Sequence, residues 1–466
     1  MSDYFTGIKV TDKKEIINPA EIPENSIIGL VGTSTNTPDD FPEKDDFYIL
    51  TAQSKVKEFD GTIGDSLKLI FSQSPAKVII VKADDEQSFP EKIEAFKNCY
   101  ANLGLEPEFL IAPLANKESL TAPIPPLEVK TKAQKVLDET KKNKFQIEAA
   151  VKAISKQLEK KPEDAELKKS LEEAEENAKQ ASDALVEAQA KLAAIPDSLP
   201  QYEVVAAKLV EIAKKIDAIP IFDIPDDVAR NAANGVQNGI PASLHHYSSQ
   251  ACWPFVKVSE YNADGALIVS SKPMAALVAG MHAMTDKAES NGGFWETCSN
   301  RQVNGILGTD ELVPYRDDDT ACLANQLGAA CITTIIRDDG FRLWNAARGL
   351  FSPSDKRWQF IPVVRTWRVI KRMLKKSHKW AIARGIKKNL IQEIEVSATE
   401  GLKQLRKRGA IVDGECFRDS EKMTDSELME GRLHFLAKFT PVYITQQIHF
   451  DLAMTNEYLQ GVKKNG

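Results

Sequence analysis

Four short apolar runs constrain this chain more than any other feature. Residues 26–32 (SIIGLVG), 76–82 (AKVIIVK), 108–114 (EFLIAPL) and 219–224 (IPIFDI) are too short for buried helices and carry no polar face. Between them lie helical patterns near residues 54–73, 89–103 and 203–218. Continuous apolar strands separated by helices predict parallel pairing, with helices covering both faces of the sheet. The pattern continues through a helix at 226–237, a strand at 251–258 and a helix at 273–289, whose buried stripe is expected at Ala275, Leu277, Val278, Met281 and Met284. The fold class is α/β, α+β overall.

Residues 127–196 are a different kind of sequence, dominated by Lys, Glu, Ala and Leu. Leu167, Leu171, Ala174, Ala178, Ala181, Leu185, Ala188 and Leu192 step by four and three, the seam of a coiled coil. Ile147, Val151, Ile154 and Leu158 give a matching seam earlier, and Lys161-Pro162-Glu163-Asp164 separates the two. An antiparallel helical hairpin follows, each arm projecting about 45 Å at 1.5 Å per residue. Its flanks belong to one domain, which it interrupts.

From residue 331 the character changes again. A β-branched run at Ile332 to Ile336, a turn at Asp338-Asp339-Gly340 and an aromatic segment around Phe341 and Trp344 lead into residues 358–364 (WQFIPVV), which have strand character. An amphipathic helix over 366–383 should set Trp367, Ile370, Met373, Leu374 and Trp380 against a cationic face of Arg368, Lys371, Arg372, Lys375, Lys376 and Lys379. A second helix over 390–408 ends in Arg406-Lys407-Arg408, cations suited to a helix C-terminus. Residues 356–408 hold 16 Lys/Arg against three Glu, a local +13 that leaves the rest of the −7 chain at −20. Such asymmetry favours contact with something acidic, including a second copy.

The C-terminal end looks like a strand in search of a sheet, and residues 1–25 are either disordered or an arm that becomes ordered by adding a strand to another sheet. Ile8 and Val10 alternate with charged neighbours ahead of Pro19 and Pro23, and residues 432–439 (RLHFLAKF) alternate Leu433, Phe435 and Phe439 with polar positions. No hairpin partner is visible for the second, so pairing with another chain is expected.

Catalytic and ligand-binding patterns are weak. The six cysteines form no CxxC pair, and His245-His246 are adjacent and therefore diverge, a poor metal geometry. The turn Gly32-Thr33-Ser34 lacks the Lys and the glycine spacing of a phosphate loop and is followed by Asp39-Asp40. Cys298, in a Gly- and Asn-rich loop beside an exposed-looking Phe294-Trp295 pair, shows no His in a partner context. No cofactor and no metal is expected. No apolar run approaches the roughly 20 residues of a membrane span, and residues 1–14 carry no apolar signal core, so synthesis and residence in the cytosol are expected.

The segments TTIIRDDGFRLWNAARGL, FIPVVRTWRVIKRMLKKSHKWA and GAIVDGECF, with GIKVTDKKEI, SIIGLVGTS and WETCSNRQVNGILG at their corresponding places, resemble the tail sheath proteins of contractile bacteriophage tails and R-type pyocins. The resemblance covers most of the chain outside 127–196. It implies a non-enzymatic subunit that stacks helically around an inner tail tube and shortens to drive that tube through a bacterial envelope. Partners would be other copies, the tail tube protein, and baseplate and tail terminator proteins, in a virion tail assembled in the host cytoplasm. The matching organisation is an N-terminal arm (1–25), an outer α/β domain (26–126 and 197–330), the inserted hairpin (127–196), a junction (331–353), an inner domain (354–440) and a C-terminal arm (441–466). Arm strands that add to neighbouring sheets would map to residues 7–11 and 433–439, and the basic helices would face the tube or a neighbour. Two rivals stand beside this reading. A nucleic-acid-binding protein would use the same clustered cations, against the acidic balance of the whole chain. An α/β enzyme would need converging titratable groups that the sequence does not offer.

Overall fold

A computed structural model describes residues 26–42, 47–124, 127–158, 164–193, 198–236, 239–261, 264–290, 292–350 and 354–456. Ile8 and Val10 lie outside the described residues.

The body is a mixed eight-stranded sheet. In chain order its first strands are β1 (Ile27–Thr33), β2 (Tyr48–Leu50), β3 (Lys77–Ala83) and β4 (Phe109–Ile111). Then come β5 (Ile219–Asp223) and β6 (Gln250–Cys252). A side hairpin follows, of β7 (Val256–Tyr261) and β8 (Leu267–Lys272), and the body closes with β9 (Ile332–Arg337) and β10 (Phe341–Trp344). The order across the sheet is β10-β9-β6-β5-β4-β1-β3-β2. The inner pairs are parallel, and only the outermost strands, β2 on β3 and β10 on β9, run antiparallel. Ile27, Ile28, Leu30 and Val31 are all buried, because β1 is covered on both faces. Gly29 sits there for lack of space: a Cβ would meet Leu110 Cδ2 at 2.6 Å and Phe96 Cε1 at 2.7 Å.

Helices α1 (Gly61–Gln73), α2 (Phe89–Glu94), α3 (Leu127–Leu158), α4 (Ala165–Ala193), α5 (Gln201–Ile216), α6 (Asp226–Ala233) and α7 (Met274–Lys287) follow in order. One face of the sheet packs on α2, α5 and α6, and the other on α1 and α7. Helix α7 is buried nearly all round from Met274 to Ala283 rather than along one stripe, since it lies between sheet and α1. Only Gly280 permits that approach, as a Cβ there would sit 2.8 Å from the Ile70 carbonyl oxygen.

The paired helices α3 and α4 leave and re-enter the body where Pro123-Ile124 pair antiparallel with Leu199-Pro200. Leu137, Ala181 and Ala188 are buried in the seam, while Ile147, Val151, Ile154 and Leu185 are half-buried, as expected for two helices with no third.

Past β10 come α8 (Ile361–Ser377), α9 (Lys388–Lys407), β11 (Ile411–Arg418) and β12 (Phe435–Pro441). The expected strand at 358–364 is instead a helical start: Pro362 occupies the first turn of α8, where its missing N–H costs nothing and its fixed φ suits the helix. Val363 and Val364 gave the segment its strand-like look. Three other expectations need correction. The helix at 54–73 is broken into a 3-10 turn (Gln53–Glu58) and α1, whose first residue, Gly61, has φ +57. The single strand at 251–258 is two strands in two sheets, interrupted by Pro254, and the edge strand β8 had no strong alternation to reveal it. Phe294 is not exposed: it is buried in the small core that Val369, Ile370, Met373, Leu402, Leu405 and Ile411 form between α8, α9 and β11.

Replacing Gly280 by Ala should force α7 away from α1 and lower stability by about 1–3 kcal/mol, read as a shifted midpoint in thermal or urea unfolding with the far-ultraviolet spectrum unchanged.

Candidate assembly surfaces

The basic helix α8 does not present one cationic face to solvent. Its first half docks on the N-terminal rim of the parallel sheet, where Glu108 immediately precedes β4 and Ser26 precedes β1. Glu108 is held there by its main chain, whose N–H donates to Ile27 O at 2.7 Å and whose O accepts from Ile219 N at 2.8 Å. Its side chain is fully buried and accepts from Arg365 Nε at 3.4 Å and from Arg372. Arg365, also fully buried, turns its other edge to Asp286 at the end of α7, donating at 2.9 and 2.6 Å in a bidentate pair, and Ser26 donates to the same carboxylate. The Arg365 guanidinium lies 4.9 Å from the Phe109 ring centroid, and His282 stacks on that ring at 4.6 Å. Burial pushes the Glu108 carboxyl up, but Arg372, Arg365 and Arg368 outweigh it and hold the group below its ordinary value.

Arg368, Lys371 and Arg372 are expected to face the tube or a neighbour; here all three are paired within the chain, Arg368 and Arg372 facing inward and Lys371 half-exposed at the surface. Arg368 is buried and donates to Ser248 Oγ at 3.1 Å, Lys371 pairs with Asp217 at 2.6 Å, and Arg372 pairs with Glu108. The acidic sheet rim and the basic helix therefore answer each other inside one subunit, which sequence periodicity alone does not reveal. Lys375 and Lys376 lie beyond the rim and are exposed, as are Arg406, Lys407 and Arg408 at the end of α9, with Arg406 paired to Asp413 at 3.1 Å.

The C-terminal strand also differs from expectation. Phe435 and Phe439 belong to β12, which pairs antiparallel with β11 in the same chain, and Leu433 precedes the strand, half-buried. The partner was hidden because β11 reads IVDGECFR, with a bulge between Ile411 and Asp413 and Asp413-Gly414-Glu415 interrupting its apolar alternation. Among the described residues this ribbon has two strands only, and neither outer edge is paired. Beyond Pro441 no described residue is in a ladder; Ile448 (70% exposed), Phe450 (82%), Leu452 (98%) and Met454 (100%) stand in solvent. At the root of this tail Trp358, Trp367, Phe439 and Tyr443 line an aromatic cleft of about 350 Å³. Trp367 contacts Trp358 at 5.1 Å and Phe439 at 5.7 Å between centroids.

At the opposite rim of the sheet, where open α/β folds bind ligands, the turn after β1 is filled by the protein itself. Asp60 accepts from the N–H groups of Thr35 at 2.6 Å and Asn36 at 3.0 Å and from Ser34 Oγ at 2.7 Å. Its carboxylate thus takes the donors a phosphate would need. Cys298 does meet a histidine, its Sγ lying 3.6 Å from the His282 ring nitrogens. Burial pushes that thiol up to about 12, and burial followed by the Arg365 charge drives His282 well below its ordinary value. The pair stays neutral and is sealed in the core, with His282 also bonded to Gln250 at 3.0 Å. No group of three or more metal-ligating side chains occurs among the described residues, and no described helix is long and apolar enough to cross a membrane.

Comparison with known proteins bears on these surfaces. A family model described as the phage tail sheath C-terminal domain matches residues 353–455, the span from just ahead of α8 through the ribbon to the exposed tail. A prophage protein of Pseudomonas aeruginosa (strain UCBPP-PA14), described as a major tail sheath protein, is 32% identical over 278 residues, 59% of this chain and 67% of that protein. The tail sheath protein of Escherichia phage P2 is 28% identical over 173 residues, 37% of this chain, and the alignment spans less than half of that relative, 43%. The helical sheath of the anti-feeding prophage in its contracted state is similar in fold, with TM-score 0.61 at 13% identity, covering 97% of this chain and 100% of that one. The sheath of an extracellular contractile injection system, also contracted, gives TM-score 0.56 at 13% identity over 98% and 99%.

Arg365→Ala should leave Asp286 buried without its charged partner and Glu108 with Arg372 alone, and cost about 3–5 kcal/mol in urea unfolding. Glu108 adds a pH signature. Its folded pKa is depressed, so its contribution is present above the ordinary carboxylate range and is lost as pH falls through the folded value. The stability difference between the native chain and Glu108→Gln should therefore shrink as pH falls below about 5 and on through the folded value.

Proposed function

This chain belongs to the contractile phage tail sheath family, and from that premise we propose that its copies polymerise helically around an inner tail tube and shorten together to drive the tube through a bacterial envelope. It is a structural subunit of a contractile tail sheath, not an enzyme. The observation that carries the finer reading is the C-terminal surface: among the described residues a two-stranded ribbon with unpaired edges, and beside it an extended tail whose Ile448, Phe450, Leu452 and Met454 side chains stand exposed. A row of free backbone N–H and C=O groups next to a free strand-like segment is satisfied when each tail adds to the ribbon of another copy. Main-chain pairing of this kind tolerates rotation of the subunits it joins, which a change of helical pitch requires.

The arm assignment moves accordingly. Residues 442–456, rather than Leu433, Phe435 and Phe439, are the strand offered to a neighbour, and Ile8 and Val10 in residues 1–25 are the second. Lys375, Lys407 and Arg408 are exposed cations that a tube or neighbouring subunit would meet. The outer position of the α/β body, the inner position of residues 354–440, and contacts with tube, baseplate and terminator proteins follow from the family reading. A duplex-DNA reading loses support, since Arg368, Lys371 and Arg372 are committed within the chain.

Electron microscopy of the purified protein should show hollow tubes from the full chain and none from a chain ending at Pro441 or lacking residues 1–20. Tubes of equal length and abundance from all three would overturn the arm assignment, and no tubes from the full chain would count against polymerisation itself.

A further inference from the structure

The hairpin is not electrically uniform. Helix α3 carries eight lysines against Glu128, Asp138, Glu139 and Glu148, a net of +4, while α4 carries four lysines against seven acids, a net of −3. The imbalance is also directional. On α3 the side away from the seam presents Lys135, Lys142 and Lys156 in one heptad-spaced row, all exposed. On α4 the corresponding side presents Lys169, Glu176 and Asp183 in one heptad-spaced row with Glu172 beside it, all exposed, so that it is acidic in balance. The bond from Lys144 Nζ to Ser182 Oγ at 3.2 Å fixes the register between the arms and sets Lys142 and Asp183 at nearly the same height. Within one hairpin these rows point in opposite directions, so they do not neutralise each other. Each helix also exposes an apolar side chain beside its charged row, Phe145 (73%) on α3 and Val186 (63%) on α4.

We propose that the outer face of α3 docks on the outer face of α4 of the next copy, so that the hairpins form a continuous, charge-matched belt along the polymer. The inference rests on the sheath reading, which supplies the neighbouring copy. A surface whose two sides are complementary to each other, and not to themselves, makes a head-to-tail contact, and repeated head-to-tail contacts generate rings or helices rather than closed dimers. That is the symmetry a helical sheath needs. Unmatched neighbours in the lattice would place lysine row against lysine row, so the charge pattern also selects one hairpin orientation.

The test uses the full chain with Lys142→Cys and Asp183→Cys together. Two helix widths, about 10 Å each, separate these positions within one subunit, beyond the roughly 7 Å Cα limit of a disulfide. Mild oxidation of assembled tubes should therefore give a covalent ladder of dimers, trimers and longer species on a non-reducing gel, above the background of the native chain and of each single variant. Raising salt from about 0.05 M to about 1 M before oxidation should weaken the ladder several-fold, because exposed charges are screened. Tubes without a ladder would overturn the hairpin contact and leave the sheath reading standing. A ladder indifferent to salt would overturn the charge matching. Failure of the native chain to form tubes would remove the sheath reading on which the proposal depends.

Discussion

Glu108 is the point at which the two halves of this chain become one body. Its backbone extends the sheet between β1 and β5, and its carboxylate has no water to turn to. A buried charge of that kind is tolerable only when paired and hydrogen-bonded. Arg365 and Arg372 supply the pairing from α8, and Arg365 extends it to Asp286 on α7. The same requirement fixes the register of α8, because residues 365 and 372 are seven apart and share one helix face. Once that face is spent on the sheet rim, Val369, Ile370 and Met373 turn to the small C-terminal core, and α9, the ribbon and Phe294 are placed in consequence.

Much of the body could be read in advance because its signals are local. Continuous runs such as SIIGLVG and AKVIIVK state parallel burial on both faces, and the four-three steps from Leu167 to Leu192 state a paired helix, without reference to anything distant in sequence. The failures share a cause. Whether Arg368 faces solvent or Ser248 depends on an acidic rim more than 100 residues away, and a one-helix pattern cannot contain that information. A lysine or arginine face looks solvated until its counter-charge is known. The partner of β12 was likewise hidden by a bulge and by Asp413-Gly414-Glu415, and Pro362 with two valines made a helix start look like a strand. The Cys298–His282 meeting was also invisible, since α7 and the loop are joined only by folding. Burial explains why finding it does not make it a nucleophile.

The clasp bears directly on how a polymer of such subunits could change length. If α8 were lightly packed, the C-terminal module could swing against the α/β body and the subunit itself could absorb a change in pitch. Fully buried charge pairs argue the other way, because opening them exposes both ions to an uncompensated interior before water can reach them. Each subunit then moves as one piece, and the rearrangement falls on the contacts between pieces: the tail beyond Pro441, which no described ladder restrains, and the exposed faces of the hairpin. These contacts differ in kind. Main-chain pairing by a tail is short-ranged and survives rotation about its root, whereas opposed charge rows act over roughly a Debye length, about 8 Å at physiological salt. A lattice held by both can slide its hairpins past one another while the tails keep neighbouring subunits joined.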